Sequence, residues 1–74
     1  MFGNKITKII SIEGMHCAHC VKRIEEALKE VKEVKSVKVN LENKNAEVIL
    51  KNDVDAEVLK ATIEDIGFEV VDIQ

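Results

Sequence analysis

Seven consecutive residues, Gly14-Met15-His16-Cys17-Ala18-His19-Cys20, hold both cysteines, both histidines and one of the two methionines of a 74-residue chain. A cysteine pair spaced as C-x-x-C does chemistry through its thiolates, either by exchanging disulfides or by holding a metal. Which of these the stretch serves depends on what stands around the sulfurs.

Several chemistries fit the residues poorly. A structural zinc site takes four ligands, usually from two separated pairs, and this chain has one pair. His16 and His19 nominally complete a Cys₂His₂ set, but four donors within five residues do not easily surround one ion. Neighbouring side chains at 19 and 20 of a helical turn diverge by about 100°. An iron–sulfur cluster needs four thiolates, which only a dimer could supply. Haem attachment wants a histidine directly after the second cysteine, where Val21 stands. A thioredoxin-like enzyme carries tryptophan and proline around its pair, and this chain has neither residue. What is left is an exposed couple of soft donors. Cu(I), a soft ion that accepts two-coordinate binding, suits it. Zn(II), Cd(II), Hg(II) and Ag(I) are further ions that such a pair can take.

The elements on either side position the motif. Ile6 to Ile12 read as a strand with Ile10 and Ile12 on one face. Gly14 to Ala18 then form a loop, and Cys20 falls in the first turn of a helix whose apolar stripe is Val21, Ile24, Leu28 and Val31. The helix start aims unpaired N–H groups and a positive dipole end at the sulfurs, which lowers the pKa of at least one thiol. Downstream, Val37, Val39 and Leu41 alternate with polar residues, Glu42 to Asn45 make a turn, and Ala46, Val48 and Leu50 alternate again as the second arm of a hairpin. Asp55 is a suitable N-cap for a second helix bearing Leu59, Ile63 and Ile66, and Gly67 a suitable left-handed stop. A last strand, FEVVDI, shows no clear inward face. The order β-α-β-β-α-β predicts an α+β ferredoxin-like sandwich: a four-stranded antiparallel sheet with both helices on one face, in one domain over 1–74. Ser36, Lys38, Asn40, Glu47 and Lys51 are expected on its solvated face, interrupted by Ile9 and Ile49.

Composition limits the remaining options. The net charge of −3 and the lack of Tyr and Trp argue against nucleic-acid binding. No apolar run approaches the roughly 18 residues of a membrane span. The N-terminal MFGNKITKII, with lysines spread through it, does not read as a secretory signal. A cytoplasmic protein with reduced cysteines is expected. Residues 1–38 carry eight Lys/Arg against five Glu, and residues 39–74 three Lys against nine Asp/Glu. That asymmetry can steer a partner.

GMHCAHC resembles the GMxCxxC motif of heavy-metal-associated domains, which include bacterial copper chaperones and the N-terminal modules of copper-transporting P-type ATPases. The likeness continues through VKRIEEALKEV, VKSVKVNLENKNAEV and LKATIEDIGFEV. It implies Cu(I) held by Cys17 and Cys20, with Cys17 more exposed and first to meet a partner. It also implies docking, through the metal loop and first helix, on a like-folded domain of a copper ATPase. The free-standing chaperone is the expected form and an ATPase module the alternative; neither is an enzyme. His16 stands where the family often has Thr, Ser or Asp, and Phe68 where chaperones often have Tyr. Family members selective for zinc or cadmium often place Asp before the first cysteine, and here His16 occupies that position.

The remaining residues of the motif have auxiliary roles. Met15 reads as packing beneath the loop, with its thioether as a spare donor. His16 and His19 are candidate third ligands, for copper or for a zinc or cadmium site, and His19 also suits a second-sphere role. Phe68 is expected to pack beside the loop and limit water access. Lys22 and Arg23 are expected to meet an acidic partner or solvent. Spare coordination at an exposed site further predicts a copper-bridged homodimer.

Overall fold

The computed structural model describes residues 6–74, so the first five residues of the predicted domain, and with them the start of the N-terminal lysine-bearing stretch, lie outside the described residues. β1 (Ile6–Glu13) buries Ile10 and Ile12 completely or nearly so. It is followed by α1 (Ala18–Lys29), β2 (Val34–Asn40), β3 (Asn45–Leu50), α2 (Ala56–Asp65) and β4 (Glu69–Ile73). The strands form one sheet in the order β2-β3-β1-β4, and every adjacent pair is antiparallel. This is the expected ferredoxin-like α+β architecture.

The helices are amphipathic, and their stripes supply one side of the core. α1 buries Ile24 and Leu28, and α2 buries Leu59 and Ile63. They meet Ile10 and Ile12 of β1, Val34 of β2 and Ala46, Val48 and Leu50 of β3, with Met15 and Phe68 completing the buried set. Among the described residues no polar or charged side chain is buried, so the core gives up no hydrogen bonds to exist. On the opposite sheet face Ser36, Lys38 and Glu47 are exposed, as is Ile9, while Asn40 and Ile49 are half-buried.

Four local readings need correction. The first helix takes in Ala18, because Cys17 already serves as its N-cap. The same helix ends at Lys29, and Val31 packs on the core from the following turn, its N–H bonded to the Leu28 carbonyl. β2 starts earlier than its alternation shows, since a bulge at Lys35 sits between the pairs Val34–Leu50 and Ser36–Ile49. It also stops at Asn40, so Leu41 is exposed in the turn and Asn45 opens β3. The Asn40 side chain accepts from the Asn43 N–H at 2.9 Å, and Lys44 takes a positive φ of 55°; together they close that turn. β4 carries a second bulge: Ser11 faces Asp72 and Ile12 faces Val70, leaving Val71 unpaired and 59% exposed. Val70 and Ile73 pack on the core although they stand three positions apart.

Candidate metal site

The site lies where β1 hands over to α1. Gly14 turns the chain with φ +90°, a value that glycine adopts without a Cβ penalty. Met15 then drops into the core at 3% exposure, which pins the loop from below. His16 and Cys17 follow on the surface. Cys17 is the N-cap of α1, with extended backbone (φ −152°, ψ 171°), and its side chain makes no capping hydrogen bond. Its sulfur is therefore free where Ser or Asp would be tied to the helix backbone. Cys20 sits in the first turn, half-buried, while Cys17 is exposed.

The two Sγ atoms lie 3.5 Å apart, in hydrogen-bond contact as free thiols. Hydrogen bonding from the His16 backbone, then from the Cys17 side chain, lowers the Cys20 pKa, and partial burial opposes it; the Cys17 backbone and the Arg23 charge add smaller lowering effects. The first turn of α1 has no acidic residue, so no carboxylate competes with the sulfurs for the positive helix end. The arrangement thus favours the thiolate at Cys20 and presents a soft, solvent-facing donor pair.

Of the other predicted site residues, Met15 and Phe68 are buried and His16 and His19 exposed. Among the described residues no three His, Cys, Asp or Glu side chains gather into a metal-holding group, so the histidines do not join the cysteines in this arrangement. The Phe68 ring lies against the loop: a Cβ placed on Gly14 would sit 3.7 Å from its Cδ1. Phe68 is aimed there by the end of α2. Gly67, at φ +98°, donates to the Glu64 carbonyl at 3.0 Å, and the Phe68 N–H donates to the Ile63 carbonyl at 3.4 Å. These two bonds form a Schellman motif, which folds the following apolar residue back onto the helix.

Arg23 has more contacts than the sequence showed. Its guanidinium lies 5.9 Å from the Phe68 ring centroid, and Nη2 donates to the Ile66 carbonyl at 3.2 Å. One signal was available: Arg23 follows Cys20 by three residues, which places both on one side of α1. Its partners, forty-three positions and more away, could not be read from the chain.

The family model described as heavy-metal-associated domain matches residues 9–69. No curated protein matches the chain. Among solved structures, the CopZ metallochaperone is 40% identical, with a TM-score of 0.83 over 89% of this chain and 100% of that one. A copper-binding domain of HMA7, a P-type ATPase, is 34% identical, with a TM-score of 0.81 over 93% of this chain and 99% of that one. The water-soluble region of the P-type ATPase CopA from Bacillus subtilis is 30% identical, with a TM-score of 0.84, and this chain covers 48% of it while 96% of this chain is matched.

Proposed function

The chain belongs to the heavy-metal-associated domain family, and from that premise we propose that it is a Cu(I) metallochaperone using Cys17 and Cys20 as its metal ligands. Delivery is by thiolate exchange to a like-folded domain of a copper-transporting P-type ATPase or to a copper-responsive regulator. The observation that carries the reading is the pair of sulfurs, 3.5 Å apart, exposed and half-exposed, at the start of α1. Soft thiolates with no third donor gathered beside them among the described residues suit a soft ion content with two ligands.

The geometry also supports movement of the ion. Taking the ~2.3 Å zinc–thiolate bond as a yardstick, a linear two-sulfur complex needs sulfurs on the order of 4.5 Å apart. The pair must therefore spread on loading. Cys17 can move because it is an N-cap residue on a loop, whereas Cys20 is fixed by helical hydrogen bonding. A first partner thiolate attacks from the Cys17 side, forms a three-sulfur intermediate and displaces Cys17; a second partner thiolate then displaces Cys20 in the same way. The ion keeps its charge throughout, and each sulfur that leaves takes up a proton from water. No oxidation state changes, and the activity is transfer rather than catalysis.

Likeness to both the CopZ metallochaperone and the HMA7 domain supports a second reading, an ATPase metal-binding module, with the same chemistry at the sulfurs. Among the described residues no helix is long and apolar enough to cross a membrane. We place the protein in the cytoplasm, where reduced thiols persist, and expect Cu(I) to bridge two copies when a partner is lacking.

The test is an anaerobic titration against a competing Cu(I) chelator. Wild-type protein is expected to bind one ion tightly, and Cys17→Ser and Cys20→Ser each to lose that binding by several orders of magnitude. Full affinity in either variant would defeat the assignment.

A further inference from the structure

Arg23 is exposed on α1, yet its side chain is committed to two groups that the chain brings beside it only by folding. It donates to the carbonyl of Ile66, the C-cap of α2. It lies over the ring of Phe68, which in turn borders Gly14 in the cysteine loop. On its own helix it stands one turn beyond Cys20, on the same side of α1. The Schellman bonds at the end of α2 occupy the carbonyls of Ile63 and Glu64. Ile66 is left with a free acceptor at the negative end of the helix, which is where a guanidinium is held best.

We infer that Arg23 is a positioning residue of the metal site: the Ile66 carbonyl and the Phe68 ring hold its guanidinium where it offsets the negative charge of the loaded dithiolate. The inference rests on the proposed Cu(I) binding by Cys17 and Cys20. Two thiolates and one monovalent cation make a complex of net charge −1, and the protons the sulfurs carried go to water. An exposed anion of that kind is stabilised by a nearby fixed cation. Lys22 is one residue closer in sequence to Cys20, but no hydrogen bond among the described residues ties it down. Arg23 is held by two contacts, so little conformational entropy remains to be lost when the anion forms. The same contacts hold Phe68 over the loop, so charge and water exclusion share one anchor.

Arg23→Gln keeps a donor for the Ile66 carbonyl and removes the charge. Arg23→Lys keeps the charge and loses the planar fork. Cu(I) affinity is measured for both and for wild type by anaerobic chelator competition at low salt and at about 1 M salt, where the screening length falls to ~3 Å. Thermal unfolding of each apo form is followed in parallel. At low salt Arg23→Gln is expected to bind Cu(I) about two- to fivefold more weakly, the range reached by exposed charge pairs. High salt is expected to close most of that gap, and Arg23→Lys to recover most of the affinity at low salt. A purely structural role would lower affinity equally at both salts and in step with thermal stability. That result, or wild-type affinity in Arg23→Gln at low salt, overturns the inference while leaving copper binding intact. Absence of Cu(I) binding by wild-type protein removes the proposed function itself, and this inference with it.

Discussion

Truncating Met15 tests whether the methionine of the motif serves packing or ligation. Met15 is 3% exposed and belongs to the buried cluster with Ile10, Ile12 and Ile24. Met15→Ala removes three heavy atoms from that cluster and leaves a cavity under the loop. Buried Met-to-Ala changes cost about 2–5 kcal/mol. The loop above Met15 can partly collapse into the space, so the lower half of that range, about 2–3.5 kcal/mol, is expected here. The whole domain should be stable by only about 4–11 kcal/mol, taking ~0.05–0.15 per residue. The change therefore consumes a large share of the total and lowers Tm by roughly 10–25 °C. Urea unfolding of the apo protein measures the loss directly. Met15→Leu, close in volume and free of sulfur, should cost less than about 1.5 kcal/mol. With the fold restored, Met15→Leu should bind Cu(I) as wild type does in chelator competition. A Met15→Ala cost under about 1 kcal/mol would refute the burial argument. Restored stability with a tenfold or greater loss of Cu(I) affinity would refute packing as the residue's role and make the thioether a ligand.

Gly67 holds φ +98° with nothing within 4 Å of the place where a methyl group would stand, so Gly67→Ala should cost about 1–2 kcal/mol through backbone strain alone. Gly67→Asn should recover part of it in the same urea experiment, and an alanine variant as stable as wild type would contradict this. The Cys20 pKa is lowered on folding, chiefly by hydrogen bonding from the His16 backbone. The folded form therefore releases this proton at lower pH than the unfolded chain. The resulting stabilisation is complete above the unfolded thiol value, about 8.5, and disappears as pH falls through the folded value. Apo-protein stability should rise more steeply toward alkaline pH in wild type than in Cys20→Ser; parallel curves would show that folding does not shift this thiol.

Where the fold was legible, a periodic apolar pattern met a regular element. Ile24 and Leu28 recur at four residues, Ala46, Val48 and Leu50 at two, and all are buried. The pattern failed where the backbone departed from its period. In β4 the bulge at Val71 breaks the two-residue alternation, so Val70 and Ile73 both reach the core and no simple face exists to be read. Leu41 looked like the next inward residue of β2, but the Asn40–Asn43 hydrogen bond turns the chain before it. At the site, C-x-x-C spacing and the helix start were visible because they are local. The contacts of Arg23 with Ile66 and Phe68 were not, since they exist only once α1 and the end of α2 lie side by side.

The separation of core from sulfurs bears on how such a site can release an ion. In small zinc domains, metal binding is folding free energy, and removing the ion unfolds the chain. Here the buried set is assembled from Ile10, Ile24, Leu28, Val48, Leu59, Ile63 and their neighbours without either cysteine being fully buried. Among the described residues no buried polar side-chain atom lacks a partner, so no internal group waits for the ion to satisfy it. The apo form is thus already complete, and in the proposed function loading requires only a shift of the N-cap residue relative to the first helical turn. Affinity then depends on the thiolates and the charges around them rather than on folding. An exchange partner needs to outcompete two sulfur bonds, not the stability of a domain, which is the condition under which a tightly held ion can still be handed on.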